Sequence, residues 1–223
     1  MKHAVVVHSG GMDSSLTLAL AKQEYSSEHI LSLSFDYNQR HSTELTQAKK
    51  ICSDWNVDHV ELSLTTLGQV TSSALIDPTI PTDTPTNTIV LGRNGLMAHL
   101  AALYAHSIGA SNLYLGVLED TPYRDCSRHY MDLKQQLLRI DLDNPTFMIH
   151  TPLVHLSKPE TLSLAYSLGI LSYLLDNTIT CYNGKPHLGC QTCPSCHHRN
   201  LSLAIFAHSH PDIPLPAWVS TLL

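Results

Sequence analysis

Apolar residues along this chain alternate between short unbroken runs and helical periods. The runs AVVVHS (4–9), ILSLSFDY (30–37), HVELSL (59–64), NLYLGVL (112–118) and FMIHTPLV (147–154) predict strands. Between them, helical spacing predicts helices near 13–25, 42–56, 94–109 and 128–140. In the third, Leu96, Leu100, Leu103 and Ile108 mark one stripe and Gly109 the stop. A further helix opens at Ser157-Lys158-Pro159-Glu160, where Ser at the N-cap and Glu three residues on form a capping box, and it ends at Gly169. Strand and helix in strict alternation define βαβ units, so the expected fold class is α/β, a parallel sheet with helices on both faces.

Two stretches fall outside this rhythm. Residues 65–90, rich in threonine and proline, have no sustained period, and a loop of that length is a lid, a binding loop or disordered. The C-terminal stretch HPDIPLPAWVSTLL reads as an irregular tail that packs Trp218 and Leu222 onto the body. No internal repeat is present.

The chain has 223 residues, 43% of them hydrophobic, enough for one full core with or without a small appendage. No run approaches 18 apolar residues and no signal-peptide pattern follows the first strand, so the expectation is a soluble cytoplasmic protein with no membrane partner. A net charge of −6 leaves no basic footprint for bulk nucleic acid. The 15 histidines scatter without i, i+4 pairing and take no collective role.

The first strand breaks into Ser9-Gly10-Gly11-Met12-Asp13-Ser14-Ser15. Consecutive glycines let backbone amides converge on an anion, and the helix that follows adds unsatisfied N–H groups and a favourable dipole. The plain alternative is a strand-to-helix turn with Asp13 as N-cap. No Gly-Lys-Ser/Thr follows, which excludes the phosphate loop built around a lysine.

Four of the six cysteines crowd together as Cys181-x8-Cys190-x2-Cys193-x2-Cys196. In a chain without secretory signals this spacing favours metal over disulfides. Four thiolates suit a closed, structural Zn²⁺; an iron–sulfur cluster is the rival, and His187, His197 and His198 are spare ligands.

Ser-Gly-Gly-x-Asp-Ser resembles the loop of the pyrophosphate-loop ATPases. Together with FDYNQRHSTEL (35–45), GRN (92–94), Lys158 and TCYNG before the cysteine triad and Arg199, it is similar to the 7-cyano-7-deazaguanine synthase (QueC-like) family over nearly the whole chain. The resemblance implies a five-stranded parallel sheet of adenine-nucleotide-hydrolase type (1–175) with a small zinc-bearing C-terminal region (176–223). It implies ATP, with Mg²⁺, on the loop His8, Ser9, Gly10, Gly11, Met12, Asp13, Ser14, Ser15, Leu16, Thr17 and Leu18. It implies catalytic roles for Asp13, Arg93 and Lys158, and Zn²⁺ on Cys181, Cys190, Cys193 and Cys196. Substrate contacts would fall to Tyr37, Gln39, Arg40, His41, Glu44, Asn94, Tyr123 and Asp125. The implied activity converts 7-carboxy-7-deazaguanine and ammonia to the amide and then the nitrile, with ATP cleaved to AMP and pyrophosphate, in a homodimer.

The chain departs from the family pattern most at EDTPYRDCSR (119–128), where the family reads Asp-x-Ser-Gly-Tyr-Pro-Asp-Cys-Arg. Pro122 replaces glycine and the arginine after Cys126 comes one place late, as Arg128. That leaves room for a relative that hands the activated deazaguanine to a protein amine in antiviral defence. A tRNA-modifying ligase and a zinc-stabilised nucleotide sensor without turnover are the remaining readings.

Overall fold

The computed structural model describes residues 1–222. In chain order its elements are β1 (Ala4–Val7), α1 (Met12–Glu24), β2 (Ile30–Asp36), α2 (Thr43–Asp54), β3 (Asp58–Ser63) and α3 (Leu67–Val70). They continue with α4 (Arg93–Ser107), β4 (Asn112–Leu115), α5 (Arg128–Asp141), β5 (Met148–His150), α6 (Lys158–Ser167), α7 (Leu171–Asn177) and α8 (Pro194–Ser209). The five strands form one parallel sheet in the order β3-β2-β1-β4-β5. The chain winds outward from β1 to β3, then crosses back to β4, so the direction of winding reverses between β1 and β4. Such a switch point leaves a crevice beyond the carboxyl ends of those two strands.

Both faces of the central strands are covered, which is why β1 and β2 read as continuous apolar runs. On one face Val5, Leu33, Leu113 and Leu115 pack with Ala98, Ala101 and Met131 of α4 and α5. On the other, Val6, Ile30 and Tyr114 pack with Leu18 and Ala21 of α1 and Ile51 of α2. Helices α6, α7 and α8 join the outer side of α1 in a further apolar cluster that includes Leu162, Leu174, Leu203 and Phe206. Trp218 and Leu222 pack against the same cluster, as expected of the tail.

Three expected strands end two or more residues before their apolar runs do. β1 ends at Val7, although the His8 N–H still reaches Leu33 O at 2.9 Å. β4 ends at Leu115, before Gly116 comes against the first turn of α1. β5 stops at His150 because Pro152 ends the pairing and the chain turns, with Val154 N–H bonded to Thr151 O. Helices α7 and α8 go beyond the expected set. The capping box at α6 is present: the Glu160 carboxylate accepts from the Ser157 N–H at 2.7 Å.

The 65–90 loop is a folded strap. The Ala74 N–H bonds Asn87 O at 2.8 Å, the Arg40 N–H bonds Leu75 O at 2.8 Å, and Ala74, Leu75 and Val90 are buried. Among the described residues no helix is long and apolar enough to cross a membrane.

Candidate active site

The β1–α1 loop opens the crevice, and its two glycines do different work. Gly10 has φ +81°, and a Cβ there would come within 2.0 Å of the Glu44 carbonyl oxygen on α2. It is therefore glycine both for its left-handed backbone and for the close approach of α2. Gly11, with ordinary φ −81°, is the N-cap of α1, so Asp13 is not the cap but lies in the first turn.

The loop is braced by its own serines: the Ser9 N–H and the Gly11 N–H donate to Ser14 Oγ and Ser9 Oγ at 3.1 and 3.3 Å, and Ser14 Oγ donates to Gly11 O at 3.1 Å. The N–H groups of Met12, Asp13 and Ser14 have no carbonyl partner within the helix, leaving three donors and the positive end of the dipole at the crevice. Asp13 forms an ion pair with Lys158, which comes from the start of α6 and is only 4% exposed. The chain thus brings together two residues 145 positions apart.

A cavity of about 800 Å³ extends from this point between the β1 and β4 loops, the strap and the cysteine region. Ser9, Gly11, Met12, Asp13, Ser14 and Lys158 line one end. Gly10, Ser15, Leu16, Thr17 and Leu18 do not reach it; the last four lie buried in α1, where the helix turns them into the interior. His8 borders the cavity, but its ring points away, with Nε2 at 3.0 Å from Ser15 Oγ and Nδ1 at 3.1 Å from Ser32 Oγ.

Tyr37, Gln39, Arg40, His41, Glu44, Arg93, Asn94 and Tyr123 border the other end, and Asp125 does not. Asp125 holds the start of α4 instead, accepting from the Asn94 N–H at 2.9 Å and from Asn94 Nδ2 at 3.2 Å. Arg40 directs its guanidinium at the strap, donating to Ile80 O at 2.8 Å, and so serves the loop rather than an anion. The Gln39 carboxamide oxygen accepts from the Tyr37 N–H at 3.0 Å. Half-buried His41 keeps Nδ1 without a partner among the described residues.

Arg93 Nη1 donates to the Tyr37 hydroxyl at 3.3 Å, and its guanidinium lies 5.8 Å from that ring. Burial pushes the Tyr37 phenol up. Burial also pushes the Glu44 carboxyl up to about 7, against the opposing pull of the Arg93 cation. A guanidinium beside a carboxyl that ionises this reluctantly presents a net positive, fork-shaped donor to the cavity.

The altered 119–128 segment forms the rim. Tyr123 turns its hydroxyl to Thr88 Oγ1 at 3.2 Å and the Tyr182 hydroxyl at 3.1 Å, tying the strap to the cysteine region. Arg128 leaves the cavity entirely: it donates to Thr151 Oγ1 at 2.8 Å and pairs with Asp132 one helical turn on. Nothing in the periodicity singles out Tyr182; its signals in the sequence are its place beside Cys181 and within the TCYNG motif.

The four sulfurs of Cys181, Cys190, Cys193 and Cys196 lie within 4.8 Å of one another at the start of α8, and none is in a disulfide. Backbone N–H groups of Asn183, Cys190 and Cys193 point at sulfur at 3.3 Å, as suits thiolates. Gly189 has φ +70°, and a Cβ there would fall 2.3 Å from Cys196 Sγ, so only glycine leaves the cradle open. The Cys190–Cys196 sulfur separation of 4.0 Å is close to the roughly 3.8 Å edge of a zinc tetrathiolate with Zn–S near 2.3 Å. The donor set fits Zn²⁺.

A parallel sheet with a glycine loop, a helix N-terminus and an acid–lysine pair at its switch point defines a nucleotide-binding α/β enzyme class. The family model of queuosine biosynthesis protein QueC matches residues 3–207, and the chain belongs to that family. The 7-cyano-7-deazaguanine synthase of Clostridium novyi (strain NT) is 37% identical over 201 residues, covering 86% of this chain and 90% of that protein. The synthase of the same description from Clostridium acetobutylicum is 38% identical, covering 86% of this chain and 89% of that protein. Among solved structures, the predicted subunit of tRNA methyltransferase from Methanocaldococcus jannaschii is similar in fold, with a TM-score of 0.51 at 17% identity over 74% of this chain and 76% of that one.

Proposed function

We propose that this chain is an ATP-dependent ligase that activates the carboxylate of 7-carboxy-7-deazaguanine and aminates it with ammonia, first to the amide and then to the nitrile. Membership of the QueC family and the names of the relatives at 37 and 38% identity support the reaction class. The observation that carries the reading is the Asp13–Lys158 pair beside the free N–H groups at the start of α1. This is a place built for phosphate, with a buried cation to meet charge developing on it.

In this reading Ser9, Gly11, Met12, Asp13 and Ser14 hold the phosphates of ATP, accompanied by Mg²⁺. An oxygen of the substrate carboxylate attacks the α-phosphorus and pyrophosphate leaves. Ammonia then adds to the activated carbonyl carbon, and AMP departs with the former carboxylate oxygen. A second ATP activates the amide oxygen in the same way, and loss of AMP and protons leaves the nitrile. Lys158 neutralises charge at the α-phosphate, with Asp13 fixing its position. Arg93 orients the carboxylate from the far end of the cavity, and Tyr37, Gln39, Glu44, Asn94 and Tyr123 surround the heterocycle. Cys181, Cys190, Cys193 and Cys196 would hold Zn²⁺ as a closed structural site that ties the 181–196 segment together, outside the chemistry.

The test is product analysis of the purified chain with ATP, 7-carboxy-7-deazaguanine and ammonium. AMP, pyrophosphate and the nitrile are expected; ADP as the sole nucleotide product would overturn the reading.

A further inference from the structure

Behind the glycine loop, on the side away from the cavity, lies a second group of metal-ligating side chains. His8 directly follows β1, Cys52 comes from α2 and His59 from β3. Their ligand atoms lie within 4.8 Å of one another. Cys52 Sγ is 3.6 Å from His8 Nδ1 and 3.7 Å from His59 Nδ1. With metal–sulfur near 2.3 Å and metal–nitrogen near 2.05 Å, the S···N edge is about 3.6 Å in tetrahedral and about 3.8 Å in trigonal coordination. Both observed edges fall in that interval. Ser32 Oγ sits 3.1 and 3.0 Å from the two Nδ1 atoms, as a fourth neighbour on β2.

Ser15 Oγ lies 2.8 Å from Gly11 O and 3.0 Å from His8 Nε2, and the Nε2–H tautomer of His8 satisfies both contacts at once. In that tautomer His8 presents a bare Nδ1 lone pair to the space between Ser32 Oγ and Cys52 Sγ, with its other nitrogen anchored as in metal-bound histidines. His8 and Ser32 are fully buried and Cys52 is 1% exposed, whereas His59 lies on the edge strand and is partly open to solvent, which gives an ion a way in.

We propose that His8, Cys52 and His59 form a second metal site, distinct from the four-cysteine cluster, for a borderline-soft d¹⁰ cation of the Zn²⁺ class. Two imidazoles and a thiolate with no carboxylate in the set disfavour Mg²⁺ and Ca²⁺, which take oxygen ligands. An ion there cross-links the end of β1, α2 and β3, and so fixes the root of the glycine loop one residue before Ser9.

The test titrates the metal-free full chain with Zn²⁺ under reducing conditions and counts tightly bound equivalents. The wild type should hold two, and Cys52→Ser and His59→Gln one each. The zinc-edge X-ray absorption spectrum of the two-equivalent wild type should show mixed sulfur and nitrogen coordination, a readout that does not depend on either variant folding. A single equivalent in all-sulfur coordination in the wild type, or a second equivalent that survives both substitutions, overturns the proposal. Neither measurement depends on ATP turnover, so the proposal stands or falls apart from the catalytic reading.

Discussion

Asp13 and Lys158 meet because α1 and α6 both begin beyond the carboxyl ends of the parallel strands, α1 after β1 and α6 after β5. Lys158→Ala removes the buried cation paired with Asp13 at the start of α1, and kcat should fall by about 10²–10³-fold with a smaller change in KM for ATP. Steady-state kinetics check this, and an unchanged kcat would remove Lys158 from the chemistry. Gly10→Ala should cost about 2 kcal/mol or more, because the new methyl meets the α2 backbone in a left-handed conformation; the urea midpoint reads it. Glu44 supplies a pH dependence. Its folded pKa, about 7, lies above the ordinary carboxylate value, so the folded state binds more protons between those values and the wild type loses stability as pH rises through that window. Relative to the wild type, Glu44→Gln should therefore gain stability from pH 5 to pH 8, as followed by denaturant midpoints at each pH; parallel profiles would contradict the shift.

Among the elements, the alternation of runs and periods reveals the sheet and its flanking helices, but it misplaces the buried face of α4: Leu96 and Leu103 of the expected stripe are exposed, and Met97, Ala98, Ala101, Ala102 and Ala105 pack on the sheet. What escapes it is order made by distant partners. The 65–90 strap has no period because backbone bonds between Ala74 and Asn87 and the Arg40 side chain shape it, and its core residues Leu67, Leu75 and Val90 fall at no regular spacing. Helix α8 hides because cysteines and histidines occupy its first turns, although Leu203 and Phe206 are core residues. The site follows the same division. The loop, Lys158 and the cysteines stand out as motifs, while Asp125 turns out to hold α4 and Arg128 to hold β5, since nothing local reveals where a long side chain finds its partner. Phe206→Ala should test the packing of α8, with a loss of about 3–5 kcal/mol in unfolding free energy.

For the whole molecule, the cavity is closed by three segments far apart in sequence, joined at the hydroxyls of Thr88, Tyr123 and Tyr182. The cysteine cluster anchors one of them, so metal removal should reach beyond its own loop. In the proposed reaction the switch-point loop activates a carboxylate through the α-phosphate of ATP. The direct measurement uses 7-carboxy-7-deazaguanine labelled with ¹⁸O in its carboxylate, with mass analysis of the phosphate-containing products. The expected result is ¹⁸O in AMP, one label for each of two AMP molecules per nitrile formed. Label in inorganic phosphate, with none in AMP, would contradict it.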